Sequence, residues 1–120
     1  MGAVEDQYEP TLSLTTDVFA QGCTSRAAFE DVTARWASLA LLALREGGYR
    51  FNALRRRVEG VSEKTLAQNL QTLERDGMLT REVITTIPPR VEYALTPLGV
   101  QVADHLRGLA DLLEASARSS

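Results

Sequence analysis

The segment that most restricts the fold is 81–99, REVITTIPPRVEYALTPLG. Val83 and Thr85 alternate with Ile84, and Val91, Tyr93 and Leu95 alternate with Glu92. This is the period of two that sends successive side chains to opposite faces of a strand. Pro88 and Pro89 lack the N–H that a central strand needs, so they belong at a tip between strands at about 79–85 and 90–95. Thr96 then offers an N-cap and Pro97 the first position of a helix. A tight antiparallel hairpin must therefore be followed directly by a helix.

The region before the hairpin reads as helices. Gly22-Cys23-Thr24-Ser25 is a start signal with Thr24 or Ser25 as N-cap, and the helical pattern runs to Glu46 with a break near Thr33-Ala34. Trp36, Leu39, Ala40, Ala43 and Leu44 share one face while Leu41 and Leu42 are apolar on the other, which predicts a helix buried nearly all round. Asn52 caps a short helix over 53–58, Glu59-Gly60-Val61 is a turn, and Ser62 caps a helix ending at Asp76-Gly77. In that helix Leu66, Leu70 and Leu73 face inward, opposite Lys64, Gln68, Gln71 and Arg75. The last helix runs from Pro97 to about Ala117 with a stripe of Leu98, Val102, Leu106, Leu109 and Leu113. Residues 11–20 fit a short helix or an extended arm equally well. The fold class is mainly α with one small antiparallel hairpin, the order of a winged helix-turn-helix.

That order points to nucleic acid, although the net charge of −3 over 120 residues points away from it. The distribution of charge resolves the conflict. Up to Asp31 the chain carries Glu5, Asp6, Glu9, Asp17, Glu30 and Asp31 against Arg26, whereas 50–64 carries Arg50, Arg55, Arg56, Arg57 and Lys64 against Glu59 and Glu63. A basic patch can hold phosphate while an acidic periphery keeps the protein dissolved. The single cysteine excludes an intrachain disulfide and fits a reducing compartment. The N-terminus has no signal-peptide pattern, and no apolar run approaches the ~18 residues of a membrane span. These features predict a cytoplasmic protein without membrane contact. One histidine and one cysteine make no usual zinc cluster, and phosphate loops and nucleophile elbows are absent, so neither an enzyme, a metal nor a cofactor is expected.

The helix from Ser62 is the candidate recognition helix for a major groove, with Ser62 among its DNA-binding residues and Lys64, Thr65, Gln68 and Gln71 as candidates for reading base edges. Arg50, Asn52, Arg55 and Arg56 are candidates for phosphate oxygens, and Arg90, held beside two prolines, for a wing contact in or beside the minor groove. One of Arg55–Arg57 is expected to pair with Glu59 or Glu63. Leu106, Leu109 and Leu113 are more apolar helix than so small a domain buries, which predicts a homodimer interface. Cys23, just before a helix where the dipole favours a thiolate, is a candidate thiol sensor; an inert thiol is the alternative. A protein-interaction module that never touches DNA is a competing reading. A third is a small apolar effector held in a dimer cleft near Trp36 and Tyr49.

The chain resembles the HxlR-type winged helix-turn-helix transcriptional regulators, bacterial proteins related to the MarR group. The resemblance rests on Cys23, Arg35-Trp36, Arg-Phe-Asn-x-Leu at 50–54, Gly-x-Ser-x-Lys-x-Leu at 60–66, Leu-x-x-Leu-Glu-x-Asp-Gly at 70–77 and Pro-Pro-Arg-Val-Glu-Tyr-x-Leu-Thr-Pro-Leu-Gly at 88–99. It departs from the family pattern at Val32-Thr33-Ala34, where glycines are usual, and at Thr24, where proline is frequent. The resemblance implies a dimer joined by its N- and C-terminal helices, recognition helices in successive major grooves of double-stranded DNA, and Arg90 in the DNA-contacting wing. For some members it implies sensing of electrophiles or oxidants through the cysteine matching Cys23. The expected organisation is an acidic flexible N-terminal arm (1–22), a DNA-binding domain (23–96) and a dimerisation helix with tail (97–120).

Overall fold

The computed structural model describes residues 17–119; the expectations for 1–16 lie outside these residues. Among the described residues the elements are α1 (Thr24–Thr33), α2 (Arg35–Leu44), α3 (Phe51–Arg57), α4 (Glu63–Arg75), β1 (Leu79–Ile84), β2 (Arg90–Leu95) and α5 (Pro97–Ser119). The chain forms two compact units divided between Thr33 and Ala34. The division falls at the expected helix break, where Ala34 leaves helical geometry with φ −59° and ψ 146°.

In the first unit, residues 17–22 form turns closed by Ala20 N donating to Asp17 O and Cys23 N to Ala20 O. The N-cap of α1 is Cys23 itself, not Thr24 or Ser25: its Sγ accepts from Arg26 N at 3.1 Å. The thiol occupies the place that a serine hydroxyl usually takes, three residues before the amide it satisfies.

The second unit has one core. Ala37, Ala40, Leu41 and Leu44 of α2, Leu54 of α3, Leu66, Leu70 and Leu73 of α4, and Leu79 of β1 are buried together with Val58, Val61, Met78 and Ala103. Each fully buried leucine contributes about 2 kcal/mol of transfer free energy. The all-round burial expected for α2 is not realised, because Leu39 is 42% exposed.

Helix α3 starts two residues earlier than expected, and Arg50 rather than Asn52 is its N-cap. The reason lies upstream. Tyr49 forms an isolated antiparallel bridge with Tyr93, through Tyr49 N to Tyr93 O (3.0 Å) and Tyr93 N to Tyr49 O (2.8 Å). The chain leaves that bridge extended through Arg50 and turns at once into Phe51. The turn between α3 and α4 passes through Gly60 at φ +98°, a conformation that side-chain-bearing residues rarely adopt. The Trp36 ring lies against Gly60, with the Arg35 guanidinium 4.5 Å from the ring centroid. Ser62 caps α4 as its sequence predicts, its Oγ accepting from Thr65 N at 3.1 Å.

The hairpin pairs in a register from Leu79↔Leu95 to Ile84↔Arg90, leaving 85–89 as the tip. Thr86 Oγ1 donates to Pro88 O within it. The alternation predicts one buried face, but only the base of the ribbon has one: Leu79 is buried while Val83 is exposed. A two-stranded ribbon that runs beyond the helices has nothing opposite its outer half.

The stripe of α5 is likewise not what the core takes in. Gly99 and Ala103 are its buried residues, while Leu98, Leu109, Leu112 and Leu113 are exposed. Close approach explains the choice: a Cβ on Gly99 would stand 1.9 Å from the Met78 carbonyl oxygen. The helix start is locked there by Thr96 N to Met78 O (3.0 Å) and by Thr96 Oγ1, which donates to Gly77 O (2.6 Å) and accepts from Gly99 N (3.0 Å). Among the described residues no helix is long and apolar enough to cross a membrane, and no group of side chains is disposed to hold a metal ion.

Candidate nucleic-acid interface

Three grooves on the second unit bring the sequence-predicted residues together. The first, about 510 Å³, lies between the start of α3 and the start of β2 and is lined by Arg50, Asn52, Arg56, Pro89 and Arg90. The second, about 640 Å³, lies between α3 and the start of α4 and shares Asn52 and Arg56 with the first, adding Arg55, Glu59 and Ser62. The third, about 360 Å³, separates the outer face of α4 from the hairpin, where Lys64, Gln68, Gln71 and the acidic Glu74 face Arg81 and Tyr93. Shared residues join the first two, and the start of α4 carries the surface on to the third.

Thr65 is the exception among the α4 candidates. It is half-buried, its amide is spent on Ser62 and its carbonyl accepts from Asn69 Nδ2 at 2.8 Å. Arg81 and Tyr93 are residues that the sequence reading passed over. The signal for them was the pairing itself, since a hairpin whose tip is centred on Ile87 sets Arg81 opposite Tyr93.

The electrostatics of the cations divides by location. Away from the grooves three arginines are committed to carboxylates. Arg57 donates twice to Glu46 (Nε 2.9 Å, Nη2 2.6 Å), Arg45 to Asp104 (2.7 Å), and Arg107 to Asp111 (2.8 Å) and Glu114 (3.1 Å). The Arg57 guanidinium and the Tyr49 hydroxyl (2.6 Å) together hold the Glu46 carboxyl down at about 2, and the same contacts raise Arg57 and Tyr49. The hydrogen bond to Asp111 raises Arg107. The expected pairing of one of Arg55–Arg57 with Glu59 or Glu63 takes the form of a long contact, Arg55 to Glu63 at 4.0 Å.

On the grooves, no carboxylate among the described residues pairs with Arg50, Arg56, Lys64 or Arg81. Arg90 is folded onto Glu92 at 3.2 Å, an exposed pair of the kind worth about 0–1 kcal/mol and easily exchanged for a stronger anion.

The remaining candidates lie elsewhere. Leu109 (54% exposed) and Leu113 (59%) sit on an open face of α5, with Leu106 half-buried beside them. Cys23 is buried in the first unit; besides the Arg26 amide, its Sγ donates to Asp17 O at 2.7 Å and lies 3.3 Å from Ser25 Oγ. Trp36 and Tyr49, offered as walls of one effector cleft, attach to different neighbours: Gly60 for one, Glu46 and Tyr93 for the other.

Residues 31–120 match the HxlR-like helix-turn-helix family. Over 98 residues the chain is 54% identical to an uncharacterized HTH-type transcriptional regulator of Escherichia coli K12, YtfH, covering 82% of this chain and 78% of that protein. The structure is similar to that of the ytfH regulator of Salmonella typhimurium, with a TM-score of 0.75 at 52% identity over 84% of this chain and 90% of the other. It is also similar to the redox regulator HypR in its reduced form, with a TM-score of 0.69 at 27% identity over 78% and 92% of the two chains. Fold, groove geometry and these likenesses agree: the chain belongs to the HxlR-like helix-turn-helix family of transcriptional regulators.

Proposed function

We infer that this regulator is a homodimer that binds an inverted repeat in double-stranded DNA near a promoter. The observation that carries the reading is a set of four cations, Arg50, Arg56, Lys64 and Arg81, that line the grooves without a carboxylate partner among the described residues, while Arg45, Arg57 and Arg107 elsewhere are held by carboxylates. An exposed row of cations beside a capped helix is what a phosphate backbone requires. In this reading residues 23–96 form the DNA-binding part. Helix α4 enters the major groove with Lys64, Gln68 and Gln71 toward base edges and Thr65 at the flank. Ser62, Arg50, Asn52, Arg55 and Arg56 take phosphates, and the wing brings Arg90 and Arg81 to the adjoining groove. Helix α5 and its tail (97–120) join the subunits through Leu106, Leu109 and Leu113. A protein-interaction module needs no such row of uncommitted cations.

The test is a mobility shift on the protein's own upstream intergenic DNA. Gln68→Ala should lose preference for the operator while keeping most non-specific binding, since an amide reading a base discriminates by about 1–3 kcal/mol. Arg56→Ala should weaken all DNA alike and reduce the salt slope by about one phosphate. Parent-like binding by both variants would remove this docking.

A second element of the reading is response to oxidants or electrophiles through Cys23. What favours it is the placement of Sγ on the first turn of α1, against the Arg26 amide, in a chain similar to a redox regulator. With one cysteine in the sequence, a disulfide must join Cys23 to the other subunit or to a small thiol.

A further inference from the structure

In the second unit a solvent-open cavity of about 270 Å³ lies among α2, the end of α3 and α5. This is close to the lower end of the roughly 300–1,000 Å³ of small-molecule sites. Half of its lining is apolar, from Leu39, Leu42, Val58 and Ala110, with Leu39 42% exposed, and the other half is charged. Its charged lining is unbalanced. Glu46, Glu59 and Glu114 face Arg57 and Arg107, and both arginines are already spent, one on Glu46 and the other on Asp111 and Glu114. Glu59 is the lining charge that no cation among the described residues pairs with. An open groove with an apolar wall whose one uncommitted charge is a carboxylate favours a small molecule with a cationic head and an apolar body.

Glu59 has a second position. It also lines the groove that holds Asn52, Arg55, Arg56 and Ser62, so one acidic residue belongs both to the cavity and to the candidate phosphate surface. We propose that the cavity is an effector site for small amphipathic amines, whose ammonium group neutralises Glu59 and thereby strengthens DNA binding. The coupling part rests on the DNA reading above; the site itself does not. A carboxylate beside phosphate repels it, and removing one unit charge at such range raises affinity roughly two- to fivefold. The effect is reciprocal, so operator DNA tightens the amine by the same factor.

The experiment is calorimetric titration of the whole chain with 2-phenylethylamine, 2-phenylethanol and 3-phenylpropionate, which carry one apolar body with three different heads. The amine should bind best. Glu59→Gln should weaken it roughly tenfold, the scale of a lost charge-assisted hydrogen bond, and bring it level with the alcohol. Leu39→Gln should weaken amine and alcohol together. In fluorescence anisotropy with upstream DNA, saturating amine should raise affinity two- to fivefold, and Glu59→Gln should show that rise unaided and no further response. No binding of the amine at millimolar concentration, or equal binding of the acid, overturns the site. Amine binding that disappears as the chain associates gives the cavity to a second subunit and also overturns it. Amine binding with unchanged DNA affinity overturns the coupling. Absence of all DNA binding beside an intact amine titration refutes the DNA reading alone.

Discussion

Gly99→Ala adds one methyl group where the backbone leaves no room, and its cost can be worked from the contacts. The new Cβ would stand 1.9 Å from Met78 O and 2.9 Å from Met78 C, with Leu95 Cδ2 at 3.2 Å. A carbon meets a carbonyl oxygen at no less than about 3.3 Å, so α5 and the start of β1 must separate by more than about 1 Å. The carbonyl that has to move accepts from Thr96 N, and its neighbour Gly77 O accepts from Thr96 Oγ1. Each of those bonds is worth about 1 kcal/mol and overpacking costs about 1–3 kcal/mol, so the variant should lose roughly 3–5 kcal/mol. Against a total of about 5–15 kcal/mol for a domain of this kind, that is a large share. The assay is urea unfolding followed by circular dichroism at fixed protein concentration, with a fall in Tm of more than about 12 °C as its thermal counterpart. Gly108→Ala is the control, because nothing lies within 4 Å of its Cβ position; it should stabilise by about 0.5–1 kcal/mol through helix propensity. A loss below 1 kcal/mol in Gly99→Ala would refute the contact geometry at the base of the wing.

Three further outcomes are expected. Glu46 is lowered from its ordinary 4.5 to about 2, so its contribution to stability is complete above pH 4.5 and is lost as pH falls toward 2; unfolding midpoints across that window should fall less steeply in Glu46→Gln than in the parent. Leu109→Glu should shift sedimentation to the monomer and weaken operator binding while leaving the circular dichroism spectrum intact, because Leu109 is exposed in the single chain; an unchanged dimer excludes this face. Cys23→Ser should keep the α1 cap, with a hydroxyl replacing the thiol, and lose any change in DNA binding caused by a thiol oxidant. A response that survives in Cys23→Ser removes this residue from the mechanism.

The sequence carried whatever depends on short spacing. Ser62 capping α4, the inward Leu66, Leu70 and Leu73, the break at Ala34 and the hairpin flanking 85–89 all follow from neighbours within a few positions. What depends on distant pairing was invisible. Arg57 reaches Glu46 from the far end of α3, and Tyr49 finds Tyr93 in the second strand; the first removes a cation from the basic run and the second moves the start of α3. Arg81 joined the α4 groove only once the register set it beside Gln68 and Gln71. Cys23 misled in the opposite way, because local preference favours hydroxyl caps and its neighbours Thr24 and Ser25 both carry one.

The uncommitted cations also bear on the kinetics of the proposed DNA binding. In the second unit Arg50, Arg56, Lys64 and Arg81 line neighbouring grooves, so their attraction for a polyanion is concentrated over that surface. Within a screening length of about 8 Å only the facing surface is felt. In the proposed docking, a duplex meeting any other surface would find no such row of cations, and discrimination would come as much from brief contacts at wrong sites as from a firm grip on the right one.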